Sequence, residues 1–507
     1  MKTTCILLIS MLHVLLAAFL AAETPDAMLG KMDAYIQKSI VEWGSPGFAI
    51  AIVRNDAVIF AKGYGHRKAG EPLPVDENTL FAIGSQTKAF TAAAIAMLVD
   101  EGKLKWDDPV VKYLPEFQLS DPWVTGKLTI RDCLSHRLGY DPLDLLWLLT
   151  DFKREEFLRR YRHARPIGEF RNSFEYNNMM FLLAGEIIPK ITGVSWDEFV
   201  KQRIFMPLNM KNSNTSVAKF SSSMNLAWPH EIIDGKIQPI PFRNFDSIGS
   251  AGAINSTVVD MAHWIRFQLG NGSVNGVKIL SPEAMKEMHS PQTIVTFGKR
   301  KEMPQVSFST YSRLNSTFAT YGLGWFIQDY KKHVVIHHGG DGEGMRCQFG
   351  LIPELNLGLV VFSNLHPGTL VEAIMYRVFD AFIDGEERDW SSEFLASIKK
   401  YNAGMAEMQK QRMAQSGEKT PPALPLEQFA GTFESEIYGQ AVIVQQGGSL
   451  RVTLGRLRCP LLHVQGNTFI FAQPVMYIGR MPITFVVDKD GEVEVMKLLG
   501  GILFKKM

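Results

Sequence analysis

Residues 90–99 read Phe-Thr-Ala-Ala-Ala-Ile-Ala-Met-Leu-Val, a helical stretch that is apolar on all sides. A helix with no polar stripe is a buried helix, so the chain must pack further layers around it. Gly102 supplies its C-terminal cap. Just before it stands Gly84-Ser85-Gln86-Thr87-Lys88. A helix start offers unpaired backbone N–H groups and a dipole that favour developing negative charge. Lys88, three positions beyond Ser85, shares its face. A lysine at the mouth of an apolar helix is desolvated, which disfavours its charged form and suits it to act as a base or proton relay. Serine needs such a neighbour, because it is a poor nucleophile until its proton is withdrawn. The spacing alone is weak evidence: Ser216/Lys219, Ser397/Lys400 and Ser416/Lys419 repeat it in polar contexts. The plainer role for Ser85 is a helix N-cap.

The 507 residues are 46% hydrophobic and 21% charged, with net charge +1. That is ordinary globular composition for two or three domains. The charge balance argues against a nucleic-acid or acidic-membrane partner. Lys299-Arg300-Lys301 is a short, isolated basic cluster of the kind found on solvated loops. At the front, Lys2 precedes an apolar run from Ile6 to Ala22 that ends in small residues, as in a secretory signal peptide over residues 1–22. The alternative is a retained anchor, but the run is short and Ser10 and His13 interrupt it. An extracellular or periplasmic location is therefore expected, with no stable membrane span after cleavage. Cys5 leaves with the signal, and Cys133, Cys347 and Cys459 fit no zinc site or disulfide framework. Asn214, Asn255, Asn271 and Asn315 stand in glycosylation sequons.

Along the chain, a helix is expected over Lys31–Trp43. The runs Phe48–Val53 and Val58–Ala61, joined by Asn55-Asp56, read as a hairpin. Helical stretches alternate with turns from Asp107 to Leu208. Strand-like runs return at Tyr321–Gln328, Val334–His337, Cys347–Leu351 and Leu357–Phe362. Ser397–Gln415 is polar and helix-favouring, and Ser416–Pro422 has linker composition. From Leu424 onward, short β-runs at Phe433, Ala441–Val444, Leu450–Leu454, Thr468–Phe471, Ile483–Val487 and Val493–Lys497 indicate a small all-β domain, barrel or sandwich.

No Gly-x-Ser-x-Gly elbow, His-Glu-x-x-His zinc motif or P-loop occurs. His333, His337, His338 and Asp341 form a cluster that suggests a metal, but adjacent strand residues point to opposite faces, so His337 and His338 should diverge. Residues 76–88, Asp-Glu-Asn-Thr-Leu-Phe-Ala-Ile-Gly-Ser-Gln-Thr-Lys, are followed in order by Tyr176-Asn177-Asn178 and His338-Gly339-Gly340. With Leu128–His136 between the first two, this resembles the serine β-lactamase-related hydrolases: class C β-lactamases, D-amino-acid peptidases and β-lactamase-like esterases. The resemblance runs from about Met32 to Asp380.

The resemblance implies an α+β, β-lactamase/transpeptidase-like fold, with an antiparallel sheet flanked by helices and a helical subdomain, followed by a small barrel-like domain. It also implies roles. Ser85 attacks a carbonyl and becomes acylated. Lys88 helps deprotonate it. Tyr176, as a phenolate or through Lys88, acts as base and then protonates the leaving group. Asn178 orients substrate and Lys88, and His338 and Gly340 line the site from an edge strand. The backbone N–H groups of Ser85 and Asp341 form the oxyanion hole. Each has a plainer alternative: a core tyrosine, a capping Asn178, a β-turn at His338. His338 stands where class C β-lactamases carry lysine, which weakens any hold on a substrate carboxylate. The expected domains are a signal at 1–22, a hydrolase domain at 27–395, a helix and linker at 396–423 and a β-domain at 424–507. The expected function is hydrolysis of an ester or amide, D-amino-acid peptides included, in a small molecule or short peptide, without metal or cofactor. The alternative is a covalent penicillin-binding-like sensor or a non-catalytic secreted binding protein on the same fold.

Overall fold

Along Gly47–Arg54 (β1), Phe48, Ile50 and Ile52 join one apolar core while Ala49, Ala51 and Val53 join another. Successive side chains point to opposite faces, so this strand stands between two packed layers. The computed structural model describes residues 25–507 except 234, 296–315, 367, 416–419, 474–479 and 500. The signal at 1–22, Cys5, Lys299-Arg300-Lys301, the Asn315 sequon and part of the 416–422 linker lie outside the described residues.

The chain returns from β1 into Ala57–Gly65 (β2) through Asn55 and Asp56, whose φ values of 50° and 63° suit a tight type I′ hairpin. The other strands of the sheet are Thr293–Ile294 (β3), Ala319–Tyr321 (β4), Phe326–Tyr330 (β5), His333–Gly342 (β6), Met345–Ile352 (β7) and Leu357–Ser363 (β8). Their order is β2-β1-β8-β7-β6-β5-β4-β3, and every neighbour is antiparallel. The run 321–328 is thus two strands, because Gly322 and Gly324 (φ 83°) turn the chain between them. Pairing of β6 with β5 ends at His337–Phe326. β6 is internal to the sheet through His337, but from His338 to Gly342 it pairs with β7 alone, so His338 and Gly340 lie on an open strand edge as expected.

One face of the sheet is covered by the helices Pro25–Trp43 and Leu370–Ile383 and the first turns of Trp390–Gln415. That last helix starts earlier than the polar run at Ser397, because Trp390 and Phe394 are buried and the Trp390 indole donates to Asp380 at 2.7 Å. On the other face lies Thr87–Asp100 (α1), with every residue from Thr87 to Leu98 buried. Its polar Thr91 is satisfied by Ser250 O at 2.7 Å and by the Trp196 indole at 2.9 Å. Gly102 (φ 68°) ends it, its N–H bonded to Val99 O at 2.9 Å.

Helices between 122 and 200 form the subdomain beyond α1. Thr129 and Asp132 make a capping box at Ile130–Leu134. The wholly buried Asp132 also takes Arg137 at 2.5 Å and Arg171 at 2.8 Å, which ties residues 128–136 to the approach to Tyr176. The C-terminal strands close into an eight-stranded barrel, which leaves no free sheet edge. Leu457–Gln465 and Ile502–Lys506 complete it beyond the runs read from sequence; Pro460 and the charged positions hide the first. The barrel docks on the helical subdomain: Arg456 bonds Leu149 O through its N–H at 3.0 Å and Thr150 O through Nε at 2.8 Å. Among the sequons, Asn255 is 1% exposed and bonded to Asn214 at 3.0 Å, so it is closed to a glycan in the folded chain.

Removing one partner from a buried ion pair leaves the other charge uncompensated. Asp132→Ala is expected to cost about 3–5 kcal/mol in urea denaturation; a loss under about 1 kcal/mol would show that the two arginines are as well served by water.

Candidate active site

Two glycines bring the serine to the sheet. Gly84 lies in a 3-10 turn, Gly84–Gln86, with φ 49°; a Cβ there would sit 2.4 Å from Asp341 O and 2.8 Å from Asp341 N. From the other side, a Cβ on Gly340 would lie 2.0 Å from Ile83 O. Only glycines permit this approach. The Ser85 and Asp341 backbones, expected to form the oxyanion hole, belong to the two segments pressed together here.

Ser85 does not cap α1. The N-cap position falls on Gln86, which makes no side-chain capping bond. The Ser85 hydroxyl instead meets Lys88 Nζ at 2.9 Å. Lys88 is 0% exposed, and Nζ also reaches Asn178 Oδ1 at 2.8 Å and Ala251 O at 2.9 Å. Burial lowers the Lys88 pKa to about 7, opposed by the Asp144 carboxylate. The desolvated lysine expected from the sequence is thus present.

Asn178 opens the helix Asn178–Thr192 (α2). Its Oδ1 accepts from Lys88 and its Nδ2 donates to Asp144 Oδ1 at 3.0 Å, which fixes the amide's orientation. Asp144 also accepts from the Trp147 indole at 2.8 Å. Asp144 was not among the residues singled out from the sequence; it heads the helix Asp144–Leu149, which Arg154–Tyr161 follows. The available signal was Asp144 and Trp147 three apart at the head of an apolar run.

The Tyr176 ring lies 4.8 Å from Lys88 Nζ, and its hydroxyl is hydrogen-bonded to Ser85. Burial raises its pKa, against the lowering that a phenolate base requires. Burial thus favours the phenol form of the resting tyrosine. His338 also differs from a lysine substitute. Its Nδ1 donates to Gly339 O at 2.5 Å, which leaves Nε2 to accept from the Tyr321 hydroxyl at 3.0 Å. Burial holds its pKa down at about 3. His338 is a neutral wall of the site and brings no charge to a substrate.

The metal alternative loses its geometry. His337 faces away from the serine, stacked on Phe326 at 5.6 Å, and His333 pairs with Glu354 at 2.8 Å. Asp380, Asp384 and Glu386 do converge, but on the Lys331 ammonium at 2.8, 2.9 and 2.5 Å.

Neutral Lys88 has the lone pair that the Ser85 proton needs, so the rate of serine labelling by a fluorophosphonate should rise with pH through an inflection near 7. Asp144 stabilises the ammonium, so Asp144→Asn should move that inflection to lower pH; a rate profile flat from pH 5 to about 9 would contradict the assignment.

Residues 32–381 match the family model described as Beta-lactamase, and residues 415–504 match a domain of unknown function. The unguisins hydrolase ungD′ of Aspergillus campestris is 26% identical over 81% of this chain and 76% of its own. Protein flp of Staphylococcus aureus is 28% identical over 66% of this chain and 63% of its own. The octameric penicillin-binding protein homologue from Pyrococcus abyssi superposes with a TM-score of 0.60 at 22% identity, covering 94% of this chain and 100% of that one. The chain belongs to the beta-lactamase family and is a serine hydrolase of β-lactamase/transpeptidase-like fold with a C-terminal barrel.

Proposed function

We propose that the chain hydrolyses an ester or amide bond through an acyl-enzyme on Ser85. The observation that carries this reading is the Lys88 amine, buried without a direct ion pair, 2.9 Å from the Ser85 hydroxyl. As Ser85 Oγ bonds to the substrate carbonyl carbon, its proton passes to neutral Lys88. The carbonyl oxygen becomes an oxyanion held by the Ser85 and Asp341 N–H groups. When the tetrahedral intermediate collapses, the Tyr176 hydroxyl gives its proton to the leaving alcohol or amine and is replenished from Lys88. A water then repeats the sequence on the acyl group, and its proton travels back through the same groups. Asn178, fixed by Asp144, keeps the lysine aimed at the serine throughout.

The relative named as an unguisins hydrolase supports a hydrolytic outcome. A neutral His338 favours esters and amides, short D-amino-acid peptides included, over β-lactams, whose carboxylate would meet no charge there. The same reading takes residues 1–22 as an export leader, residues 27–395 as the hydrolase domain and the barrel from 424 as an accessory domain. Among the described residues, no helix is long and apolar enough to cross a membrane.

Intact-mass analysis after fluorophosphonate treatment tests the reading. One adduct, mapped to Ser85 and absent from Ser85→Ala, is expected. Steady-state ester hydrolysis should fall by about a thousandfold or more in both Ser85→Ala and Lys88→Ala. A burst of one equivalent with no turnover would make the chain a covalent sensor. A correctly folded protein that takes no adduct would be a binding protein on this fold.

A further inference from the structure

We propose that His136 is the positioning residue for Tyr176: it grips the backbone on both sides of the tyrosine while its ring packs against the phenol. The proposal rests on the reading of Tyr176 as the group that passes a proton to the leaving group.

The grip is made of three contacts from one residue. His136 O accepts from Glu175 N at 2.8 Å. His136 Nδ1 accepts from Asn177 N at 3.0 Å. The imidazole lies against the Tyr176 ring, with centroids 4.2 Å apart and planes tilted by 35°. Phe181 at 5.1 Å and Tyr321 at 4.6 Å pack around the same imidazole, so it cannot swing away. His136 itself is anchored, because it follows the helix Ile130–Leu134 that the buried Asp132 ties down.

The neighbouring residues complete the hold. The Asn177 side chain donates to the Tyr161 hydroxyl at 2.6 Å and caps α2 through Met180 N at 3.3 Å. Asn178 is held by Lys88 and Asp144. The backbone on either side of Tyr176 is therefore pinned, and the phenol is delivered to Ser85 with little freedom to miss.

Two features set this histidine apart from an ordinary core residue. It sits at φ 56°, a left-handed conformation that costs a non-glycine residue energy. It is also 0% exposed, and its Nε2 meets no hydrogen-bond partner among the described residues. A buried histidine chosen for packing satisfies both ring nitrogens. Because Nδ1 accepts from Asn177 N, the proton is on Nε2. Burial first, and then Lys88 and His338, hold the ring's pKa well below the ordinary value, with the phenols of Tyr176 and Tyr321 also packed on it, so the acceptor stays in place as pH varies.

Hydrolysis of p-nitrophenyl butyrate by the full chain provides the test, with His136→Phe, His136→Asn, Tyr176→Phe and the double variant His136→Phe/Tyr176→Phe. The Phe variant keeps a ring and loses the acceptor. The Asn variant places Oδ1 where Nδ1 was and tolerates the left-handed backbone. Misplacing a reacting group by about 1 Å costs up to about a hundredfold, so His136→Phe should lose about thirtyfold in kcat with KM within about threefold. His136→Asn should recover most of that loss. The double variant should be no slower than Tyr176→Phe within about twofold, because His136 acts through the tyrosine. A folded His136→Phe with wild-type kcat, or losses that multiply in the double variant while Tyr176→Phe alone is slow, would overturn the proposal and leave the role of Tyr176 standing. A Tyr176→Phe variant at wild-type rate would overturn both. Should His136→Phe not fold, amide exchange in the wild-type chain decides: protected Glu175 and Asn177 amides support the grip, and rapid exchange there refutes it.

Discussion

An amine without solvent is the constraint on which the rest of the structure depends. Lys88 is wholly buried, and its hydrogen bonds go to a hydroxyl, an amide and a backbone carbonyl, none of which carries a full charge. The nearest compensating charge, Asp144, reaches it through the Asn178 amide. Such a group is expensive to bury as an ammonium, so burial shifts the balance toward the neutral amine, which can act as a base. The helix that holds it explains how this is tolerated. With Thr87 to Leu98 buried on every side, α1 is fixed by packing as a whole, and one polar group near its end cannot relocate to water.

The nucleophile and the sheet meet by the same logic of close packing. At Gly84 and Gly340 a Cβ would collide with the facing backbone, so the two glycines let the serine turn close on β6. Asp341, next after Gly340, therefore presents its backbone beside Ser85. The subdomain supplies Tyr176 and Asn178 from the other side, and Asp132 with its two arginines binds that approach to the segment that carries His136. The barrel rests on the same subdomain through Arg456 and through Arg160, whose guanidinium donates to Glu436 O at 2.8 Å. The accessory domain thus braces the half of the site that contributes the tyrosine.

Much of this was legible in the amino-acid sequence because it depends on local pattern. The all-round apolar helix, the Asn55-Asp56 hairpin and the order of the three motifs identify the fold, and the mouth position of Lys88 gives its desolvation. What escaped depends on partners distant in sequence. Asp144 looks like one acid among several until Asn178 is seen to face it. The tautomer of His338 is set by Tyr321 and by its own neighbour's carbonyl, and the phenol of Tyr176 is pushed up by burial that no spacing reveals. That β6 is flanked on both sides up to His337 and open only from His338 onward follows from where Phe326–Tyr330 pairs, a long-range fact. The barrel strand at Leu457–Gln465 was hidden because Pro460 and the charged residues break its β pattern.

The activation of Ser85 depends on Lys88 being a base at neutral pH. The most direct measurement is the titration of lysine side chains by carbon NMR in protein labelled at Cε, with Lys88→Met to assign the resonance. A single lysine that titrates near pH 7 and vanishes in the variant is the predicted result. A Lys88 resonance that titrates near the ordinary lysine value of about 10.4 would mean that the site stabilises the ammonium, and the account of how Ser85 is activated would be wrong.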